Sequence, residues 1–129
     1  MSLRSPISRV LGLGSAKQGT SHWWSQRVSA VALVPLTLWF VLSLLTLPAF
    51  DYDTVATWLS VPVSGFLSVL LVAVMTYHSY LGTTVITEDY VHAPGSKVLL
   101  LLLLRFAYVL VGGAGIFAIL RVAFGFTRL

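Results

Sequence analysis

Between Arg27 and Asp51 the sequence contains no acidic or basic residue, and from Thr54 to Thr87 the same holds apart from His78. Each stretch exceeds the roughly 20 apolar residues that cross a hydrocarbon core of about 30 Å. A third apolar run spans Val98 to Phe126, broken only by Arg105 and Arg121. Both arginines lie near enough to its ends for their side chains to snorkel toward water. A chain that is 57% hydrophobic and only 9% charged, with a mean hydropathy of +0.92, falls outside the range of soluble domains. Apolar runs without polar alternation read as helices, and three strands could not close their edges in lipid. The fold class is therefore all-α, with three transmembrane helices at about 27–48, 61–87 and 98–121. Three helices enclose little space, so a functional pocket here calls for helices from another chain in a heteromeric membrane bundle.

Charge sets the expected topology. Arg4, Arg9, Lys17 and Arg27 precede or open the first span, and Lys97 and Arg105 follow the second. The first loop holds Asp51 and Asp53 and no base. The positive-inside rule then places the N-terminus and the loop from Glu88 to Lys97 on the cytoplasmic side and the C-terminus outside. The net charge of +4 is accounted for by this topology and by anionic headgroups of the bilayer, with no nucleic acid partner required. The chain has no cysteine, which excludes disulfides, thiolate metal sites, iron-sulfur ligation and covalent c-type haem.

Residues 1–22 read as a basic N-terminal cytoplasmic arm, and residues 23–129 as the membrane domain. The arm superficially resembles a transit peptide, but it is short and runs straight into the interfacial aromatics Trp23 and Trp24. It has no apolar core long enough for a secretory signal. Pro35 is expected to bend the first span or free a carbonyl. Pro48 and Asp51-Tyr52-Asp53 end that span in a short outer loop, and Pro62 suits the first turn of the second span. Ala93-Pro94-Gly95-Ser96 is a turn signal that makes spans two and three antiparallel neighbours. Gly112, Gly113 and Gly115 form a small-residue patch, which most often serves close helix packing and can also admit a flat ligand.

Within this frame His78 stands out. It lies about nine residues from the expected end of its span, or roughly 14 Å at 1.5 Å per residue. An imidazole at such depth needs a partner, either a bound metal or an interhelical hydrogen bond. Gly82 is one turn along the same face and leaves room for a flat macrocycle. Eleven residues at 100° bring Asp89 onto that face, about 16 Å away along the axis. Tyr90 adds a phenol able to donate to a quinone carbonyl, although an interfacial tyrosine is commonly just a belt residue. A low-spin b-type haem takes two histidines, and His22 and His92 are too near the interface to share an iron with His78. Arg27, with Ser25 and Ser29 nearby, can pair with haem propionates or a quinone oxygen, or else snorkel to headgroups.

The order His22-Trp23-Trp24-Ser25-Gln26-Arg27, then Pro35 and Trp39, then His78, Gly82, Asp89 and Tyr90 in the pattern H-x3-G-x6-D-Y-V, resembles the small hydrophobic membrane anchor of bacterial succinate dehydrogenase, respiratory complex II. The likeness runs over residues 22–97, and span three is generic. It implies that His78 is an axial ligand of haem b, with a second membrane anchor subunit supplying the other. It also implies that Tyr90 and Asp89 bind ubiquinone and that Arg27 lies near the haem propionates. FAD and the iron-sulfur clusters would belong to a flavoprotein and an iron-sulfur subunit, so this chain alone would not be an enzyme. The implied location is the bacterial inner membrane, ahead of the mitochondrial one. Open alternatives are the anchor of a fumarate reductase, a haem-less anchor, and a three-span assembly or transport subunit in which His78 only glues helices.

Overall fold

The computed structural model describes residues 17–125, and every regular element among them is helical. Helix α1 spans Lys17–Thr46, α2 Tyr52–Ser60, α3 Pro62–Tyr90 and α4 Pro94–Ala123. Three of these, over Thr20–Thr46, Pro62–Tyr90 and Pro94–Ala123, are long and apolar enough to cross a membrane. The three expected spans are thus present, while their helices outlast the apolar runs. Most of the expected arm, residues 1–16, lies outside the described residues, whereas Lys17 to His22 already belong to α1.

The differences have local causes. A helix ends where its backbone bonds end, and nothing between Lys17 and Arg27 stops one, so α1 begins ten residues before the expected 27 and runs through Pro35. The Pro94 turn is the start of α4, because a proline at the first helical position lacks only an N–H that would be orphaned anyway. Pro62 opens α3 in the same way. The outer loop also contains a helix that hydropathy does not reveal. Asp51 takes the N-cap position of α2 in extended backbone, and its carbonyl accepts from the Val55 N–H at 3.1 Å. The Thr54 side chain holds the Asp51 carboxyl below its ordinary 3.8, and Asp53 in the first turn complements the helix dipole. Trp58 of α2 stacks on Trp39 of α1 at 5.8 Å between centroids, tying the short helix to the first long one.

Helix α3 is central. It packs against α1 on one side and α4 on the other, with α2 lying across the outer ends of α3 and α4. Leu71 and Leu81 of α3 and Leu36 of α1 are the buried hydrophobic residues, and the large apolar side chains elsewhere are mostly exposed. At the C-terminal end of α3 Lys97 Nζ donates to the Glu88 carbonyl at 2.8 Å, capping the helix with a cation where the dipole is negative.

The glycine patch divides by face. A Cβ on Gly112 would lie 2.7 Å from Thr76 Cγ2, and one on Gly115 would lie 3.1 Å from Val72 Cγ1, whereas Gly113 has open space. Gly112 and Gly115 therefore let α4 approach α3. Substituting Gly112→Leu should destabilise the helix pair by about 1–3 kcal/mol through overpacking. Gly113→Leu should stay within about 0.5 kcal/mol. Unfolding in mixed micelles followed by circular dichroism checks both, and equal effects would contradict this assignment of faces.

Candidate functional site in the α1–α3 seam

One strip of α1 carries polar groups toward α3. His22, Gln26 and Ser29 are spaced by four and three residues, which places them one above another on a single helix face. Opposite them on α3 are His78 and Gly82. The Ser29 hydroxyl lies 2.9 Å from His78 Nδ1 and also donates to the Gln26 backbone carbonyl at 3.0 Å. The other ring nitrogen, Nε2, is 3.5 Å from the Gln26 side-chain amide nitrogen, at the outer limit of a hydrogen bond. That amide nitrogen is also what a Cβ on Gly82 would meet, at 3.6 Å. The Gln26 side chain therefore fills the space between His78 Nε2 and the bare backbone at Gly82.

This filling is loosely held. Among the described residues neither Gln26 Oε1 nor His22 Nε2, both buried, has a hydrogen-bond partner. A buried polar atom left unpaired costs about 1–3 kcal/mol, so two such atoms in one seam mark a place where a further group would be stabilising. His78 itself is half-buried and Ser29 is 6% exposed.

The other expected residues fall around this seam. Ser25 lines a groove of about 600 Å³ between α1 and α3, together with Trp24, Val28, Ser29 and Tyr77. Arg27 is exposed, with its guanidinium over the Trp23 ring at 5.4 Å, a cation–π contact at the interface. It does not meet His78 within this chain. Asp89 and Tyr90 form the last turn of α3. The unbroken helix keeps Asp89 on the His78 face, while Tyr90 is 79% exposed. Because α3 continues to Tyr90, His78 lies twelve residues from the helix end, or about 18 Å along the axis. His92, on the loop that follows, donates from Nδ1 to the Tyr90 carbonyl at 3.1 Å, so it is held at that end of α3.

The α3–α4 side carries a second polar seam. Thr83 and Tyr108 share a hydrogen bond of 2.7 Å, and the Tyr80 and Tyr108 rings meet edge to face at 5.8 Å. A cavity of about 350 Å³ there is bordered by Tyr77, Tyr80, Arg105, Tyr108 and Gly113. No cluster of three or more metal-ligating side chains occurs among the described residues, so this chain by itself offers a metal one imidazole at depth.

Sequence position alone singles out Ser25 and Arg27 beside the redox site and groups Ser29 with Arg27. The structure instead gives Ser29 and Gln26 the direct contacts to His78. The available signal is their spacing from His22, since positions 22, 26 and 29 share a face that Arg27 does not.

Comparison with known proteins gives a consistent family assignment. Residues 1–112 match the model of the succinate dehydrogenase/fumarate reductase transmembrane subunit. The chain is similar to the succinate dehydrogenase hydrophobic membrane anchor subunit of Rickettsia bellii, with 38% identity over 90 residues, covering 68% of this chain and 70% of the relative. The subunit of the same name from Paracoccus denitrificans is 28% identical over 121 residues, covering 94% and 93%. The succinate dehydrogenase membrane anchor subunit of Reclinomonas americana is 26% identical over 100 residues, covering 75% and 83%.

Proposed function

Since this chain belongs to the succinate dehydrogenase/fumarate reductase transmembrane subunit family, we propose that it anchors a succinate-oxidising head to the membrane, holds one side of a haem b and completes a ubiquinone site. The observation that carries the redox part is His78, an imidazole at depth whose Nε2 has only a long contact to a weakly held amide. The residues around it fit a flat macrocycle. Gly82 has no side chain to obstruct it, and the Gln26 side chain can withdraw because its oxygen has no bond to lose.

In this reading His78 would hold the haem iron from this chain, and a second anchor chain would supply the other ligand. When bound, haem b provides one-electron transfer between the head and the quinone region. Tyr90, at the inner end of α3, donates its phenol proton as a hydrogen bond to a quinone carbonyl, orienting and polarising it. Asp89 sits on the face that leads back to His78 and tunes the local proton supply. Reducing a quinone to a quinol takes two electrons and two protons, so a carboxylate and a phenol near the aqueous boundary are suitably placed. The 79% exposure of Tyr90 leaves its ring available for cover by a partner chain and a quinone.

The partners in this proposal are a second membrane anchor, an iron-sulfur subunit and a flavoprotein, with FAD and the clusters held by the latter two. The basic N-terminal segment and the loop ending at Lys97 face the cytoplasm by the positive-inside rule, in a bacterial inner membrane. The anchor of a fumarate reductase would share the family model. The relatives named above are succinate dehydrogenase anchors, which favours succinate oxidation.

Three measurements test this reading. His78→Ala in the purified complex should remove or visibly change the b-type absorbance, and an unchanged spectrum and haem content would sink the ligand role. Tyr90→Phe should slow quinone reduction about tenfold, the equivalent of one lost hydrogen bond of about 1–2 kcal/mol. Reduction of an artificial dye by the head should survive, and normal quinone reduction would refute the Tyr90 role. Purification of the chain in mild detergent should bring down a flavoprotein and an iron-sulfur protein, and recovery without them would refute the anchoring role.

A further inference from the structure

We propose that Ser29 is a positioning residue that fixes the tautomer of His78, keeping the proton on Nδ1 and the lone pair on Nε2. The proposal rests on the reading of His78 as a haem ligand and goes beyond it by naming the group that prepares the ligand. A serine hydroxyl has one proton and two acceptor lone pairs. The Gln26 carbonyl can only accept, so in the 3.0 Å contact Ser29 is the donor, and we place the single hydroxyl proton there. The same oxygen lies 2.9 Å from His78 Nδ1. With its proton engaged elsewhere, Ser29 Oγ accepts, and Nδ1 must donate.

A neutral imidazole protonated on Nδ1 carries its lone pair on Nε2. The Gln26 side-chain amide lies at the outer limit of hydrogen bonding from Nε2, at 3.5 Å. Ser29 is nearly inaccessible to solvent. Its helical backbone keeps the hydroxyl over the Gln26 carbonyl, three residues earlier, and aims the free lone pair across the seam. A metal-bound histidine whose other N–H is held by an acceptor is fixed in orientation and made a stronger base. A more basic ligand favours the oxidised, more highly charged iron, so Ser29 holds the midpoint potential down as well as orienting the ring.

The test uses the assembled complex and reads the midpoint potential of the b-type absorbance by redox titration, together with the loss of haem to an apoprotein acceptor. Ser29→Ala should retain the b-type spectrum, shift the potential to more positive values and weaken haem retention about tenfold or more. Ser29→Thr keeps an oxygen able to donate to the same carbonyl and should restore both. Ser29→Val is the isosteric control without the oxygen and should behave like S29A, which keeps the comparison valid if the smaller side chain impairs assembly. A potential and haem retention equal in S29T and S29V, or assembly lost equally in both, overturns the proposal while the ligand reading stands. An unaltered haem spectrum in His78→Ala overturns the ligand reading, and the role of Ser29 falls with it.

Discussion

The structure depends on how hydroxyl and imidazole groups are satisfied where water is scarce. Backbone groups in hydrocarbon bond within their own helix, and several of the hydroxyls here join them. Thr84 and Thr87 donate to carbonyls four residues earlier, as does Ser60 in α2, and Thr46 reaches back three. Each of these uses its proton locally and retains an accepting oxygen. Two hydroxyls of this kind also reach across a seam. Ser29 meets His78 of α3, and Thr83, which donates to the Ser79 carbonyl, meets Tyr108 of α4. If Thr83 uses its proton on Ser79, the Tyr108 hydroxyl is the donor in that pair. The same chemistry therefore ties α3 to both neighbours, through a serine or threonine oxygen that also bonds a carbonyl of its own helix.

These links matter because apolar burial contributes little inside this chain. Only three large apolar residues are buried among the described ones, while valines, leucines and phenylalanines line the outer faces of α1, α3 and α4. Lipid tails are as apolar as leucine, so association in the membrane relies on close packing and polar contacts more than on removing surface from water. Gly112 and Gly115 supply the close packing for α3 and α4. The α1–α3 seam has no comparable glycine pair and instead holds two buried unpaired atoms, on His22 and Gln26. The glycine-packed seam is thus the one without the candidate site.

The fold class and the number of spans are legible in the sequence because charge-free length alone forces a helix in lipid. The helix ends are not, since a backbone helix continues past the hydrocarbon until a proline or a cap stops it. Pro94 illustrates the ambiguity, because the same residue can close a turn or occupy a helix's first position. Helix α2 is hidden for a related reason. Its nine residues are too few for a span, and its two aspartates suggest a loop, although an aspartate at the N-cap and another in the first turn also signal a helix start.

On the site, relations along one helix carry through from sequence to structure, and relations between helices do not. His78, Gly82 and Asp89 share a face because the helical repeat is fixed, and α3 is unbroken over that range. The pairing of His78 with a residue 49 positions earlier depends on how far α1 slides along α3, which sequence spacing within either helix does not determine. Arg27 is conspicuous as the charged group near the start of span one, yet a charge next to the interface is drawn to Trp23 and water, and a small uncharged serine two residues on is what fits against an imidazole at depth. Polarity that can be buried at little cost, more than formal charge, is the sequence signal to follow from one helix into the next.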